Sequence, residues 1–220
     1  RIGSKRSQRR RIVIALLDTS EDLAICAAEL GCAVEQLLTP LTRFAAQDPT
    51  AHFAIENGCY KRFDAPAYLA LLKREHARQA LCRYVSVPDV VGSARRTLEV
   101  FEHWYVRQDL QGWPLAYVAQ DGQEEIAVPW YPIAAVFIGG SVEWKMSRHA
   151  VAVIKAAQAL GKWTHVGRVN DPGRFEYFEA LGVDSIDGTG LARYTHMRER
   201  IARASREPAL FSKEQLYAHD

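Results

Sequence analysis

A chain of 220 residues, 48% of them hydrophobic, holds enough apolar material for one sizeable core, and no Ser/Gly/Pro-rich linker or internal repeat divides it. A net charge of +2 excludes indiscriminate adhesion to polyanions. No apolar run reaches the roughly 18–20 residues that span a bilayer, and Ile12–Leu17 is too short for a secretory h-region, so the chain is expected to be cytoplasmic with no membrane partner. The first segment, residues 1–10, reads as a basic flexible arm; a single domain occupies 11–206; 207–220 forms a polar tail in which Phe211 and Leu216 are docking candidates. Arg11–Leu17 reads as the first strand, followed by a helix over Glu21–Leu30 with Thr19 and Asp22 at capping-box spacing, and Cys32–Leu38 as the second strand. Short apolar runs then recur: Phe53–Ile55, Tyr84–Val87, Leu115–Ala119, Ala135–Ile138, Thr164–Val166 and Val183–Ile186. Helical periodicity fills the intervals over Pro66–Ala80 after an Asp64 cap, Ser93–Arg107, His149–Leu160, Pro172–Leu181 and Arg193–Ala204, with Gly161 and Gly182 at C-cap positions.

Strands that alternate with helices imply a parallel sheet, and eight strands in this length predict an α/β fold, a compact single-domain (β/α)8 TIM barrel without a zinc subdomain. An open doubly wound sheet is the alternative, and the first two strands decide between them. Each later strand runs into polar or glycine residues: Glu56-Asn57-Gly58, Asp89, Gln120-Asp121-Gly122, Gly139-Gly140, Gly167-Arg168 and Asp187-Gly188. In a barrel these strand ends share the face where catalytic groups are carried. Glu56, Asp89, Asp187 and Gln120 therefore converge, beside backbone N–H groups of Gly139 and Gly140 that no side chain covers. Two carboxylates with different duties are what cleavage of a sugar C1 bond through an oxocarbenium-like state requires. An Asp-Gly strand end is by itself an ordinary turn; it is the agreement of six that points to a site.

The four cysteines, Cys26, Cys32, Cys59 and Cys82, form no C-x-x-C pair and have no histidine at zinc-finger spacing, so no metal is expected. Cys26, Cys32 and Cys82 read as buried thiols, Cys59 as a pocket residue without an activating histidine, and His165 as a barrel-interior residue. Trp104, Tyr105, Trp130 and Tyr131 are candidates for a dimer surface, the first two more naturally for helix core.

The order and wording of these segments resemble the tRNA-guanine transglycosylase superfamily, most of all its small phage and bacterial branch that inserts 7-deazaguanines into DNA. Lys162-Trp163-Thr164-His165-Val166-Gly167-Arg168-Val169-Asn170, then a helix and Gly182-Val183-Asp184-Ser185-Ile186-Asp187, is similar to the segment ending in the family's nucleophilic aspartate. Glu56-Asn57-Gly58-Cys59-Tyr60 resembles its Asp-Ser-Gly-Gly-aromatic turn, Val87-Pro88-Asp89 and Val118-Ala119-Gln120 its base-reading positions, and Phe137-Ile138-Gly139-Gly140 its glycine pair. The likeness covers roughly Phe53–Gly190. It implies Asp187 as nucleophile, Glu56 as general acid/base, Asp89, Gln120, Gly139 and Gly140 on the base, and Tyr60 and Val166 as its two faces. It implies no cofactor. Trp144, Lys145, Arg148 and Arg168 are then candidates for contacts to the nucleic acid, together with the basic arm.

Two departures shape the expectation. Glu56 stands where the family has aspartate, which extends the carboxyl by one methylene, and the zinc-binding Cys/His segment of the tRNA enzymes is missing, which favours the DNA branch. The expected reaction is exchange of guanine in flipped or single-stranded DNA for a 7-deazaguanine, foremost 7-cyano-7-deazaguanine, through a covalent aspartyl-sugar intermediate, with possible accessory proteins of a DNA-modification system. The rivals are a tRNA-guanine transglycosylase-like enzyme, a DNA glycosylase or nucleoside hydrolase, a barrel acting on a small metabolite, and a non-catalytic DNA-binding subunit.

Overall fold

The computed structural model describes residues 13–44 and 48–206. Eight parallel strands close into a barrel in chain order: β1 Ile14–Leu17, β2 Val34–Leu38, β3 Phe53–Ile55, β4 Cys82–Ser86, β5 Leu115–Ala119, β6 Ala135–Ile138, β7 Trp163–Val166 and β8 Ser185–Asp187. The ring is completed by β1 against β8, where Leu16 lies opposite Asp187. The open-sheet alternative is thereby excluded. The arm over 1–10, residues 11–12 of the expected first strand, and the tail with Phe211 and Leu216 lie outside the described residues. No described helix is long and apolar enough to cross a membrane.

Side-chain alternation along the strands produces two apolar shells. Leu16, Leu37, Ala54, Tyr84, Ala116, Val118, Ala135 and Phe137 fill the barrel interior. Their neighbours, including Leu17, Ile55, Val85, Ala119, Ile138, Val166 and Ile186, point outward and pack beneath the helices. Each large side chain so buried contributes about 1.5–3 kcal/mol.

The helices form the outer ring: α1 Leu23–Leu30, α2 Ala65–Glu75, α3 Ala94–Trp104, α4 Val142–Lys145, α5 Arg148–Ala159, α6 Pro172–Leu181, α7 Thr189–Arg193 and α8 Thr195–Arg206. Their starts follow capping chemistry. Asp22, Asp64, Ser93, Ser147 and Asp171 each accept a backbone N–H of the first turn, and Gly31 and Gly182 close α1 and α6 in the left-handed conformation. Asp22 is itself the cap of α1, while Thr19 accepts the N–H of Glu21, so the expected capping box is displaced. Where one helix over Arg193–Ala204 was expected, α7 and α8 are separated at the single residue Tyr194. No described helix lies between β2 and β3, and only a short 3-10 turn, Gln123–Glu125, lies between β5 and β6. Fully buried Arg198 on α8 ties that helix to α1 and α7, reaching Glu21 and Glu29 with its guanidinium and the carbonyl of Leu191.

Candidate active site

Glu56 follows β3, Asp89 follows β4, Gln120 follows β5, Gly139 and Gly140 follow β6, Arg168 follows β7 and Asp187 ends β8. The parallel barrel brings all of them to one rim. They line a cavity of about 140 Å³ together with Asn57, Cys59, Tyr60, Ser86, Val118 and Phe137. That volume is below the roughly 300–1,000 Å³ of sites for drug-sized ligands and suits one flat ring system. A second cavity of about 560 Å³ shares Glu56, Gly58, Tyr60, Asp187 and Thr189 with it, so the two meet at the carboxyl groups.

Asp187 is buried and hydrogen-bonded on both oxygens. Oδ2 lies 2.9 Å from His165 Nε2, and Oδ1 accepts the Arg168 backbone N–H at 3.1 Å. The histidine is held from behind: its Nδ1 lies 2.9 Å from Ser185 Oγ, which accepts Trp163 Nε1–H at 2.8 Å. A carboxylate oxygen can only accept, so the proton of a neutral imidazole lies on Nε2, facing Asp187, and Nδ1 accepts from the Ser185 hydroxyl. Burial lowers the His165 pKa, and contact with Asp187 only partly opposes this. The contact is therefore a hydrogen bond from a neutral ring rather than an ion pair. His165 was expected inside the barrel; that it grips Asp187 follows from the β7–β8 register, which sets His165 opposite Ser185.

Arg168 organises the same corner. It is the one non-glycine residue with positive φ among the described residues, at 60°, and this left-handed turn directs its N–H onto Asp187. Its guanidinium donates to the Gly140 carbonyl and sits 4.5 Å above the centre of the Tyr60 ring. Gly167 permits the turn sterically, because a Cβ there would stand 2.6 Å from Phe137.

Glu56 has the opposite environment. It is half-buried on the wall common to both cavities, and its carboxyl accepts no hydrogen bond from any described residue. Burial, then the neighbouring Asp187, Asp89 and Asp18, push its pKa well above the ordinary carboxylate range, with Arg168 opposing. Its backbone is fixed by Leu38 and, one residue on, by Ser86 Oγ, which accepts the Asn57 N–H at 2.9 Å.

Opposite this pair lies a polar wall. Asp89 accepts Asn57 Nδ2–H at 2.8 Å and Gln120 Nε2–H at 2.6 Å; burial raises its pKa and these hydrogen bonds oppose the rise. Gln120 Oε1 accepts the N–H groups of Gly92 and Gly140, so this amide has one N–H left for a ligand and otherwise orients Asp89. Asn57 and Ser86, which brace this wall, carried no signal in the sequence beyond their places in a turn and at a strand end.

Four expectations need correction. The N–H groups of Gly139 and Gly140 are not open: they bond to Ala119 O and Gln120 Oε1. Glycine is required there because a Cβ at either position would stand 2.7 Å from the Gln120 or Asp121 side chain. Val166 is fully buried in the shell beneath the helices, since inward-pointing His165 forces its neighbour outward; Val118 and Phe137 line the cavity instead. Trp144 is buried with Nε1 bonded to Glu124, and Lys145 is buried with Nζ donating to the Gly167 carbonyl at 2.6 Å, so neither presents a surface to a nucleic acid. Burial and the nearby Arg168 bring the Lys145 pKa down to about 8. Arg148 is exposed, and Arg168 and Tyr60 stand at the rim.

Among the described residues no three His, Cys, Asp or Glu side chains converge to hold a metal ion. Cys26 is buried, whereas Cys32, Cys59 and Cys82 are half-buried; burial pushes the thiol of Cys59 up to about 12 and that of Cys32 to about 11. Cys59 lines the smaller cavity in a form unsuited to nucleophilic attack.

No protein-family model matches the chain, and no curated protein matches it. Among solved structures it is similar to the phosphoribosyl anthranilate isomerase of Thermus thermophilus, at 13% identity over 88% of this chain and 98% of that one, with a TM-score of 0.47. A likeness of that size carries no functional argument.

Proposed function

We propose that this barrel is a base-exchange transglycosylase that replaces guanine in DNA with a 7-deazaguanine, 7-cyano-7-deazaguanine being the first candidate. The observation that carries the reading is the contrast between two carboxyl groups on one cavity wall: Asp187 hydrogen-bonded on both oxygens, Glu56 unpartnered with its pKa pushed up. One group suited to attack and one suited to give a proton, beside a space for a single flat heterocycle, are what glycosyl transfer needs.

In this mechanism the flipped deoxyguanosine places its base between Tyr60 on one face and Val118 and Phe137 on the other. Asp89 accepts the base N–H groups, and the remaining Gln120 N–H donates to a ring carbonyl. Asp187 attacks C1′ as the C1′–N9 bond breaks; the electron pair leaves with guanine, which takes the Glu56 proton. The sugar is then esterified to Asp187, and Glu56 is a carboxylate. The incoming base loses its N9 proton to that carboxylate, and N9 displaces Asp187 from C1′, restoring both groups. Extracting the target from the stack costs a few kcal/mol. The reaction belongs in the cytoplasm of a bacterial or phage-infected cell, where accessory modification proteins supply opened DNA.

The test incubates the protein with guanine-containing DNA and radiolabelled guanine or 7-cyano-7-deazaguanine, beside Asp187→Asn, and counts label in washed DNA. Incorporation by the parent, reduced at least about 10³-fold in the variant, is expected. Free guanine without incorporation would instead identify a glycosylase. Equal DNA binding by both proteins with no guanine released by either would identify a binding subunit.

A further inference from the structure

The larger cavity reaches well beyond the groups assigned to the base. It extends from Glu56 and Asp187 across the β2–β3 connection to the β3–α2 loop and α7. Arg43, Lys61, Arg62 and Arg193 stand around it, all exposed, and none forms an ion pair with a described residue. They come from three separate segments of chain, so their convergence is a property of the fold rather than of a basic run.

No described carboxylate of this cavity forms an ion pair with them, although Asp18, Glu56, Asp64 and Asp187 share its lining. Asp18 accepts the hydroxyls of Thr39 and Thr42 at 3.3 and 2.7 Å, Asp64 caps α2, and Asp187 is engaged as described. Two large side chains among the cations are also exposed, Leu41 at 63% and Tyr60 at 64%. Exposed cations without an ion pair among the described residues, interleaved with an exposed aromatic in a groove, are the composition that follows single-stranded nucleic acid, with cations on phosphates and rings on bases.

Accepting the DNA-exchange reading, we infer that the larger cavity binds the sugar-phosphate backbone of the single strand flanking the flipped nucleotide. Arg43, Lys61, Arg62 and Arg193 hold its phosphates and Leu41 contacts a sugar, while Tyr60 stays on the flipped base. The strand thus crosses the β1–β3 side of the rim. It does not cross the β6 side, where Trp144 and Lys145 are packed away.

Fluorescence anisotropy with the full chain and a labelled single-stranded guanine-containing oligonucleotide, over a salt series, tests this. The variant R43Q/K61Q/R62Q/R193Q, checked by circular dichroism, is expected to bind at least about tenfold more weakly, with a log–log salt slope shallower by roughly 2–3. R148Q and K73Q, exposed elsewhere, are expected to bind like the parent. Unchanged affinity and slope in the folded quadruple variant would overturn the assignment, as would a larger loss in R148Q. Binding of deoxyguanosine monophosphate but not of the oligonucleotide would replace the strand by a phosphorylated small molecule. The label assay separates this from the exchange reading: exchange with unchanged binding in the quadruple variant removes only the backbone site. Lost binding in a protein whose parent exchanges no label removes only the chemistry.

Discussion

The β8 end and the β3 turn of this barrel each present a carboxyl group to the same pair of cavities, and the protein treats them in opposite ways. At β8, an indole, a hydroxyl and an imidazole stand in series behind Asp187, while a strained arginine backbone supplies a further N–H. At β3, the side chain of Glu56 is left bare in a poorly solvated wall ringed by acids. Burial, neighbouring charge and the donors aimed at each group, rather than its chemical identity, make the contrast.

After Asp187→Asn, the largest effect expected is from Glu56→Gln, which retains shape and removes the proton. Label incorporation should fall about 10²–10⁴-fold. Stability should move the other way. A carboxyl whose folded pKa is raised lets the native state hold a proton that the unfolded chain has released, so the parent loses stability as pH rises from the ordinary carboxylate range toward the folded value. The variant lacks that loss and should be more stable at pH 7 by on the order of 1 kcal/mol, roughly 2–4 °C in Tm, with no difference in acid. Equal melting curves at both pH values would erase the contrast between the two carboxyl groups.

His165→Gln probes the other half. Glutamine can still donate to Asp187 but cannot transmit the Ser185 contact through a rigid ring. A drop of about tenfold in kcat with KM unchanged is expected, and a stability cost of about 1–2 kcal/mol. Because burial lowers the His165 pKa, the parent should also lose stability as pH falls below the usual imidazole range, and the variant should lose less. An acid limb that is the same in parent and variant would show that His165 is not kept neutral. The smallest effect is expected from Tyr84→Phe. The Tyr84 hydroxyl is buried in the barrel without a hydrogen-bond partner among the described residues, and its removal should change stability by between zero and about +1 kcal/mol with exchange intact. A loss above about tenfold in exchange would make the phenol a third participant and sharpen the division of labour differently.

The rim was readable because a strand of three to five residues bounded by glycine or an acid has a clear signature, and parallel closure delivers every strand end to one face. What could not be read depended on relations between strands. The His165–Asp187 contact needs the β7–β8 register, and the occupied N–H groups of Gly139 and Gly140 need β5 alongside β6. Val166 was misplaced by a single step of alternation, since sequence alone does not say which of His165 and Val166 faces inward. Trp144 and Lys145 lie on a one-turn helix whose packing against Glu124 and Gly167 leaves no periodic trace. The rim acids were local features; the cations of the larger cavity, drawn from three segments, were not.

Arg198 has a consequence for how the protein comes into being. Its contacts with Glu29 and Glu21 span 169 and 177 residues of chain, and β8 pairs with β1 across a comparable interval. Contacts of such separation are the last to be gained on leaving the ribosome, and Asp187 stands on the strand that completes them. A nascent chain that stops short of β8 therefore has neither a closed ring nor Asp187 at the rim, and one that lacks α8 is without the Arg198 ties to Glu21, Glu29 and the Leu191 carbonyl.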